Sequence, residues 1–184
     1  MTAQEAAMLI ALATIGVILI AAFLSYVATR PDSFRIERVT NINAPPEKIF
    51  PLIDNFQQWE DWSPWEKVDP NLLRSYSGAA SGKGAVYVWQ GNREVGVGRM
   101  EIVESAPPSL VLIKIDFEEP MTAHNTIKFE LERQDTTTRV TQAMYGPSPF
   151  LSKLFGIFCN MEQMVGGKFE EGLASLKALA EKPV

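Results

Sequence analysis

The chain contains a single cysteine, Cys159, and a single histidine, His124. One thiol forms no disulfide within the chain, and one thiol with one imidazole do not build the Cys/His ligand sets of zinc sites. Basic clusters are also missing. The formal net charge is −5, and no stripe of Lys and Arg stands ready to neutralise phosphates, so nucleic acid is not an expected partner. The nucleotide loops fail on spacing. Gly78 to Gly84 has three residues between its first two glycines where a P-loop needs four, and Gly84 stands where Ser or Thr is required. Gly96-Val97-Gly98 lacks the remaining glycine of a dinucleotide fingerprint, and no serine has a G-x-S-x-G setting. No cofactor or metal is expected.

Charge is absent from one long stretch. Glu5 is the only charged side chain before Arg30, and Ala6 to Ala28 is an unbroken apolar run. At 1.5 Å per residue, about 23 helical residues cross a hydrocarbon core of ~30 Å. A cleaved signal is disfavoured, because no Lys or Arg precedes the run, the run exceeds the usual ~7–15 residues and no convincing small-x-small site precedes Arg30. The spacing predicts a single-pass membrane anchor over residues 1–30 and one globular domain over 31–184. Arg30, Arg35 and Arg38 follow the run, which by the positive-inside tendency places the globular part in the cytoplasm.

Beyond the run, Phe34 to Asn43 reads as a strand, followed by Ala44-Pro45-Pro46-Glu47, a fixed φ with an acidic first turn. Ile49, Phe50, Leu52, Ile53 and Phe56 then recur at helical spacing before Trp59, Trp62 and Trp65. Turn residues next separate strands expected at 71–76, 85–90, 94–105, 110–118, 122–133 and 138–145, an antiparallel meander. Gly146-Pro147-Ser148-Pro149 ends the series. Leu151, Leu154, Phe155, Phe158, Met161, Val165, Phe169, Leu173 and Leu176 then form one apolar stripe, and Gly166-Gly167 is expected to bend the helix or admit another backbone.

The order of these elements, with "APPEKIF", "WEDWSPW", "SGAASGKGAVYVWQGN", "VGVGRMEIVESAPPS" and the closing "GPSPF" and "NMEQMVGGKFEEGLASLKALAE", resembles the START and birch-pollen-allergen superfamily (SRPBCC), most closely its bacterial polyketide cyclase/dehydrase-like members. The resemblance implies an α+β helix-grip fold: a curved antiparallel sheet wrapped around a long C-terminal helix, with two short helices after the first strand. It also implies a ligand space between sheet and helix.

Strand parity turns Val111, Ile113, Ile115 and Phe117, and Ile127, Phe129 and Leu131, toward that space. Gly96 and Gly98 share the parity of Met100 and are expected to keep one wall low. Trp62, Trp65, Trp89, Met100, Ile115, Phe117, Ile127 and Phe129 are the expected lining, with Phe158, Met161 and Met164 as an adaptable lid. The three loop tryptophans suit a cavity mouth, a membrane anchor or, as the favoured reading, a staple between helix and sheet. The expected partner is a small hydrophobic or amphipathic molecule such as a lipid, isoprenoid, quinone or polyketide-like compound. For a cyclase or dehydratase, Arg99, Asp116, His124 and Asn125 are the strand-borne groups available for proton transfer; a Cys159–His124 dyad is disfavoured, because Cys159 lies in an apolar helical stretch where a thiol is an inert small hydrophobe. A structural or stress-response partner is the third reading.

Overall fold

The computed structural model describes residues 2–158 and 160–183. Two compact units emerge, one made of Met1–Ser33 with Ser148–Asn160, the other of Phe34–Pro147 with Met161–Val184.

In the first unit, helix α1 (Ala3–Ala28) is opened by a capping box. The Thr2 hydroxyl accepts from the Glu5 N–H, and the Glu5 carboxylate accepts from the Thr2 N–H, which satisfies two of the free donors at the helix start. Within Gln4–Ala28 an 18-residue window reaches a mean hydropathy of 2.8, and the helix is long and apolar enough to cross a membrane. Its large side chains, among them Ile10, Val17 and Leu19, point outward, unlike those of a core helix. Helix α4 (Phe150–Phe158) packs in this same unit, and two further helices, α2 (Pro46–Asp54) and α3 (Trp59–Trp62), precede it in the chain.

Among the described residues the second unit has one seven-stranded sheet, β1 (Ser33–Ile42), β2 (Leu73–Gly78), β3 (Ala85–Gln90), β4 (Val97–Ala106), β5 (Leu110–Glu119), β6 (Ala123–Gln134) and β7 (Thr137–Pro147). Its spatial order is β1-β7-β6-β5-β4-β3-β2. Strands β2 to β7 form the expected antiparallel meander. Arg35 lies over the Tyr145 ring and the Thr138 hydroxyl donates to Ala44 O, so β1 runs antiparallel to β7 and closes the opposite edge. The strand bounds match the sequence reading to within a few residues, because alternation of apolar and polar side chains marks each of them.

Helix α2 starts on Pro46 and buries Ile49, Phe50 and Ile53. Two short 3-10 segments, Phe56–Gln58 and Pro64–Lys67, flank α3. Helix α5 (Met161–Ala180) buries Val165, Phe169, Leu173, Leu176 and Ala180 in one core with Val111, Ile113, Phe129, Leu131 and Val140 of the sheet. Each such fully buried side chain contributes up to roughly 1.5–3 kcal/mol.

The direction of α5 is fixed by its polar partners. Arg38 on β1 reaches Glu162 and Glu170, Lys177 donates to Asn41 O, and the Asn43 N–H donates to Glu181. Helix α5 therefore follows β1, with its first turn at the Ser33 end of the sheet. By strand register, that end also holds Tyr145, Asp116, His124, Gly98 and Trp89.

Two expectations about the C-terminal stripe are corrected. The stripe is not one helix: it divides into α4 and α5, and Leu151, Phe155 and Met161 are exposed instead of buried. Gly166-Gly167 does not interrupt α5. The missing side chain at Gly166 instead admits the Arg38 guanidinium, whose Cζ would stand 2.6 Å from a Cβ there.

Candidate functional site

The inner face of the sheet is apolar, as parity requires. Val111, Ile113, Ile115, Ile127, Phe129, Leu131 and Met100 are all buried, and Phe117 is partly buried. Much of the space above this face is filled by the tryptophan segment. Trp59 and Trp62 lie 5.0 Å apart between ring centroids and each meets Phe129 edge-on at 6.1 Å. Their indole N–H groups donate to Ile53 O and Leu52 O. Trp62 thus ties α2 and α3 to the sheet, with its indole donor satisfied by the backbone. Trp65 is half-buried beside it in the chain.

The low wall expected over Gly98 is taken by Trp89. Its indole stacks on Tyr87, meets Phe117 edge-on at 5.7 Å and donates to Val95 O. Gly96 serves a turn with φ of +70° close to Glu119 O, a conformation that glycine adopts without strain.

The remaining expected site residues lie toward the end of the domain where α5 begins. Phe117 is half-buried there, and Met161 and Met164 are 43% and 57% exposed. The Phe158 side chain and Cys159, and with them the third lid position and the dyad, lie outside the described residues.

A separate recess of about 190 Å³ lies at the opposite edge, between Asn55–Gln57 and the β2–β3 turn, with Phe56, Tyr76 and Ala85 in its walls. None of the expected lining residues borders it. Its volume falls below the ~300 Å³ at which pockets begin to enclose an organic ligand.

Sequence reasoning missed several polar groups in and around the core. Gln142 on β7 is buried, 6% exposed, and its Oε1 has no hydrogen-bond partner. It stands opposite Phe129, between Val140 and Met144 on the inward parity of β7. The alternation Thr138, Val140, Gln142, Met144 was the available signal. Glu66, also buried, accepts from Arg74 Nε at 2.6 Å and from the Tyr87 hydroxyl at 2.7 Å. The carboxylate raises the Arg74 pKa through its hydrogen bond, while burial, then the bond to Glu66, pushes the Tyr87 phenol far above its usual range. Tyr76, stacked on Tyr87, is pushed up to about 12 by burial and the nearby Glu60 and Glu66 charges. Burial likewise raises Asp54, against a hydrogen bond from Ser105 that lowers it.

The strand-borne polar groups divide between faces. Asp116 and His124 pair across β5 and β6 at 2.6 Å, and Arg99 stands opposite Asp116 on β4. All three share the parity of Lys114, the outer face, and His124 is 70% exposed. They do not address the apolar interior. Asn125 has inward parity beside Ile115 and sits against Gly146.

A curved seven-stranded antiparallel sheet gripping one helix, with an apolar inner face, defines a helix-grip domain. Residues 33–181 match the family model described as "Polyketide cyclase / dehydrase and lipid transport", and the chain belongs to that family. Similar solved structures include protein MLL2253 from Mesorhizobium loti (14% identity, TM-score 0.60, covering 82% of this chain and 100% of that one). Protein CV1439 from Chromobacterium violaceum is similar at 14% identity and TM-score 0.58, covering 84% and 100%. CalU16 from Micromonospora echinospora is similar at 16% identity and TM-score 0.56, covering 83% and 81%. At these identities the likeness concerns the fold. The comparison with curated proteins found no match.

Proposed function

We propose that the chain is a membrane-anchored helix-grip protein that binds a small hydrophobic or amphipathic molecule between the sheet and α5, at the end where α5 begins. The observation that carries this reading is Gln142, a buried amide without a partner for its Oε1 on a mostly apolar inner face. An unpaired buried polar atom costs roughly 1–3 kcal/mol. A ligand hydroxyl or amide donor offsets that cost, and the surrounding Ile127, Phe129 and Met144 suit its hydrocarbon. The half-open rim of Phe117, Met161 and Met164 supplies flexible apolar side chains at the approach. The apolar, outward-facing α1 supports an anchor that keeps the domain beside lipid, with the domain on the cytoplasmic side from the arginines that follow the span.

The ligand class is one whose members reside in or partition into the bilayer: a lipid, isoprenoid, quinone or polyketide-like molecule. The full chain extracted from native membranes is expected to carry a small apolar molecule detectable by mass spectrometry. Gln142→Leu should lower its occupancy while leaving the far-UV circular dichroism unchanged. Protein that retains no such molecule, and whose tryptophan fluorescence is indifferent to added fatty acid and quinone, would end this reading.

A further inference from the structure

We propose that α4 lies in the headgroup region of the same bilayer that α1 crosses, as a second membrane contact. This inference rests on the reading of α1 as an anchor.

Helix α4 exposes Phe150, Leu151 and Phe155 at 43%, 64% and 50%. Leu151 and Phe155 stand four residues apart, hence on one face, and Gly156 beside them has open space where a Cβ would stand. That face carries no charge. The one charged residue of the helix, Lys153, has a side chain only 7% exposed and spends its ammonium on Asp32 at 2.6 Å. A soluble surface helix shows the reverse pattern, with charge outward and aromatic and branched side chains inward.

Depth comes from the chain itself. The Ser148 N–H donates to Asp32 O at 2.7 Å, and Lys153 reaches the same residue, so the start of α4 is fixed four residues past Ala28, where α1 ends. Tyr26 and Arg30, the guanidinium 5.8 Å from the ring centroid, mark that end with the aromatic and cationic pairing typical of the headgroup zone. Helix α4 thus belongs to the same unit as α1, and both expose apolar side chains. A short apolar helix held at that level meets the acyl–headgroup boundary.

The test uses the full chain in phosphatidylcholine nanodiscs containing doxyl-labelled lipid. Single cysteines at Leu19, Leu151, Phe155 and Asn92, in a Cys159→Ser background, carry an environment-sensitive fluorophore. Labels at 151 and 155 are expected to lose fluorescence to the lipid quencher, with 19 also quenched and 92 unaffected. Quenching at 19 with none at 151 and 155 overturns the proposal while sparing the anchor. No quenching at 19 overturns both. Should labelling disturb folding, unmodified protein is irradiated with a diazirine-bearing phosphatidylcholine. Adducts mapped to residues 150–158 support the contact, and adducts confined to α1 overturn it.

Discussion

The indole of Trp89 lies directly over the α-carbon of Gly98. A Cβ at Gly98 would stand 2.5 Å from Trp89 Cη2 and 2.6 Å from the Asp116 carbonyl oxygen. One of these obstacles is a buried ring held by Tyr87, Phe117 and a hydrogen bond to Val95 O, and the other is strand backbone. Neither gives way cheaply. Gly98→Ala is expected to cost about 1–3 kcal/mol, the range for overpacking a filled core, read as a lowered melting temperature. A melting temperature unchanged by this substitution would mean that the indole is free to move and that a space for ligand opens there after all.

Gly166 presents a similar short approach with the opposite expectation. The atoms in the way belong to the Arg38 guanidinium, the far end of a flexible side chain. Its carboxylate partners Glu162 and Glu170 are 57% and 63% exposed, where ion pairs are worth little. Replacing a mid-helix glycine by alanine gains up to about 1 kcal/mol. Gly166→Ala should therefore leave stability within about 1 kcal/mol of the parent while weakening its salt dependence, measured by thermal unfolding at two ionic strengths. A loss comparable to that at Gly98 would show that Arg38 is rigidly held.

These two glycines also show how far the sequence could be read. Alternation in Val111 to Phe117 and Ile127 to Leu131 announced the inner face, and the Pro45-Pro46 start announced α2, because local periodicity encodes both. A glycine's role depends on what lies across from it. Gly98 suggested room and Gly166 a bend, yet Trp89 and Arg38 occupy those places, nine residues away and on another element. The division of the apolar stripe into α4 and α5 carries no Pro or Gly marker between Phe158 and Met161. Glu66 and Arg74 carry no local signal of their pairing with Tyr87 either, because only the fold brings the three together.

That Glu66–Arg74–Tyr87 cluster makes its own prediction. The Glu66 side chain is 5% exposed and Arg74 25% exposed. Removing the cation with Arg74→Met leaves a buried carboxylate with one phenol for support, and breaking such a pair costs about 3 kcal/mol or more. Pairing it with Glu66→Gln should recover part of the loss, because the buried charge goes with its partner. If the double variant is less stable than Arg74→Met alone by the full cost of a second independent substitution, the two residues are not coupled.

The pH response of Asp54 follows from the direction of its shift. Burial disfavours its carboxylate and raises its pKa, and the hydrogen bond from Ser105 opposes this only in part. A raised folded-state pKa means that the group favours folding when protonated, fully so below the ordinary aspartate value of 3.8, and loses that contribution as pH rises through the folded-state value. At neutral pH the chain thus carries a poorly solvated charge, with Oδ1 buried and unpartnered. Asp54→Asn removes the charge and keeps an acceptor for Ser105. The variant is expected to melt above the parent at pH 7, and the advantage should shrink as pH is lowered toward and below 3.8. Asp32, Glu47 and Glu181, whose pKa values are lowered by hydrogen bonds, destabilise both proteins on acidification alike, so the difference between the two melting curves isolates Asp54. An advantage for Asp54→Asn that is constant with pH would assign the effect to packing instead of charge.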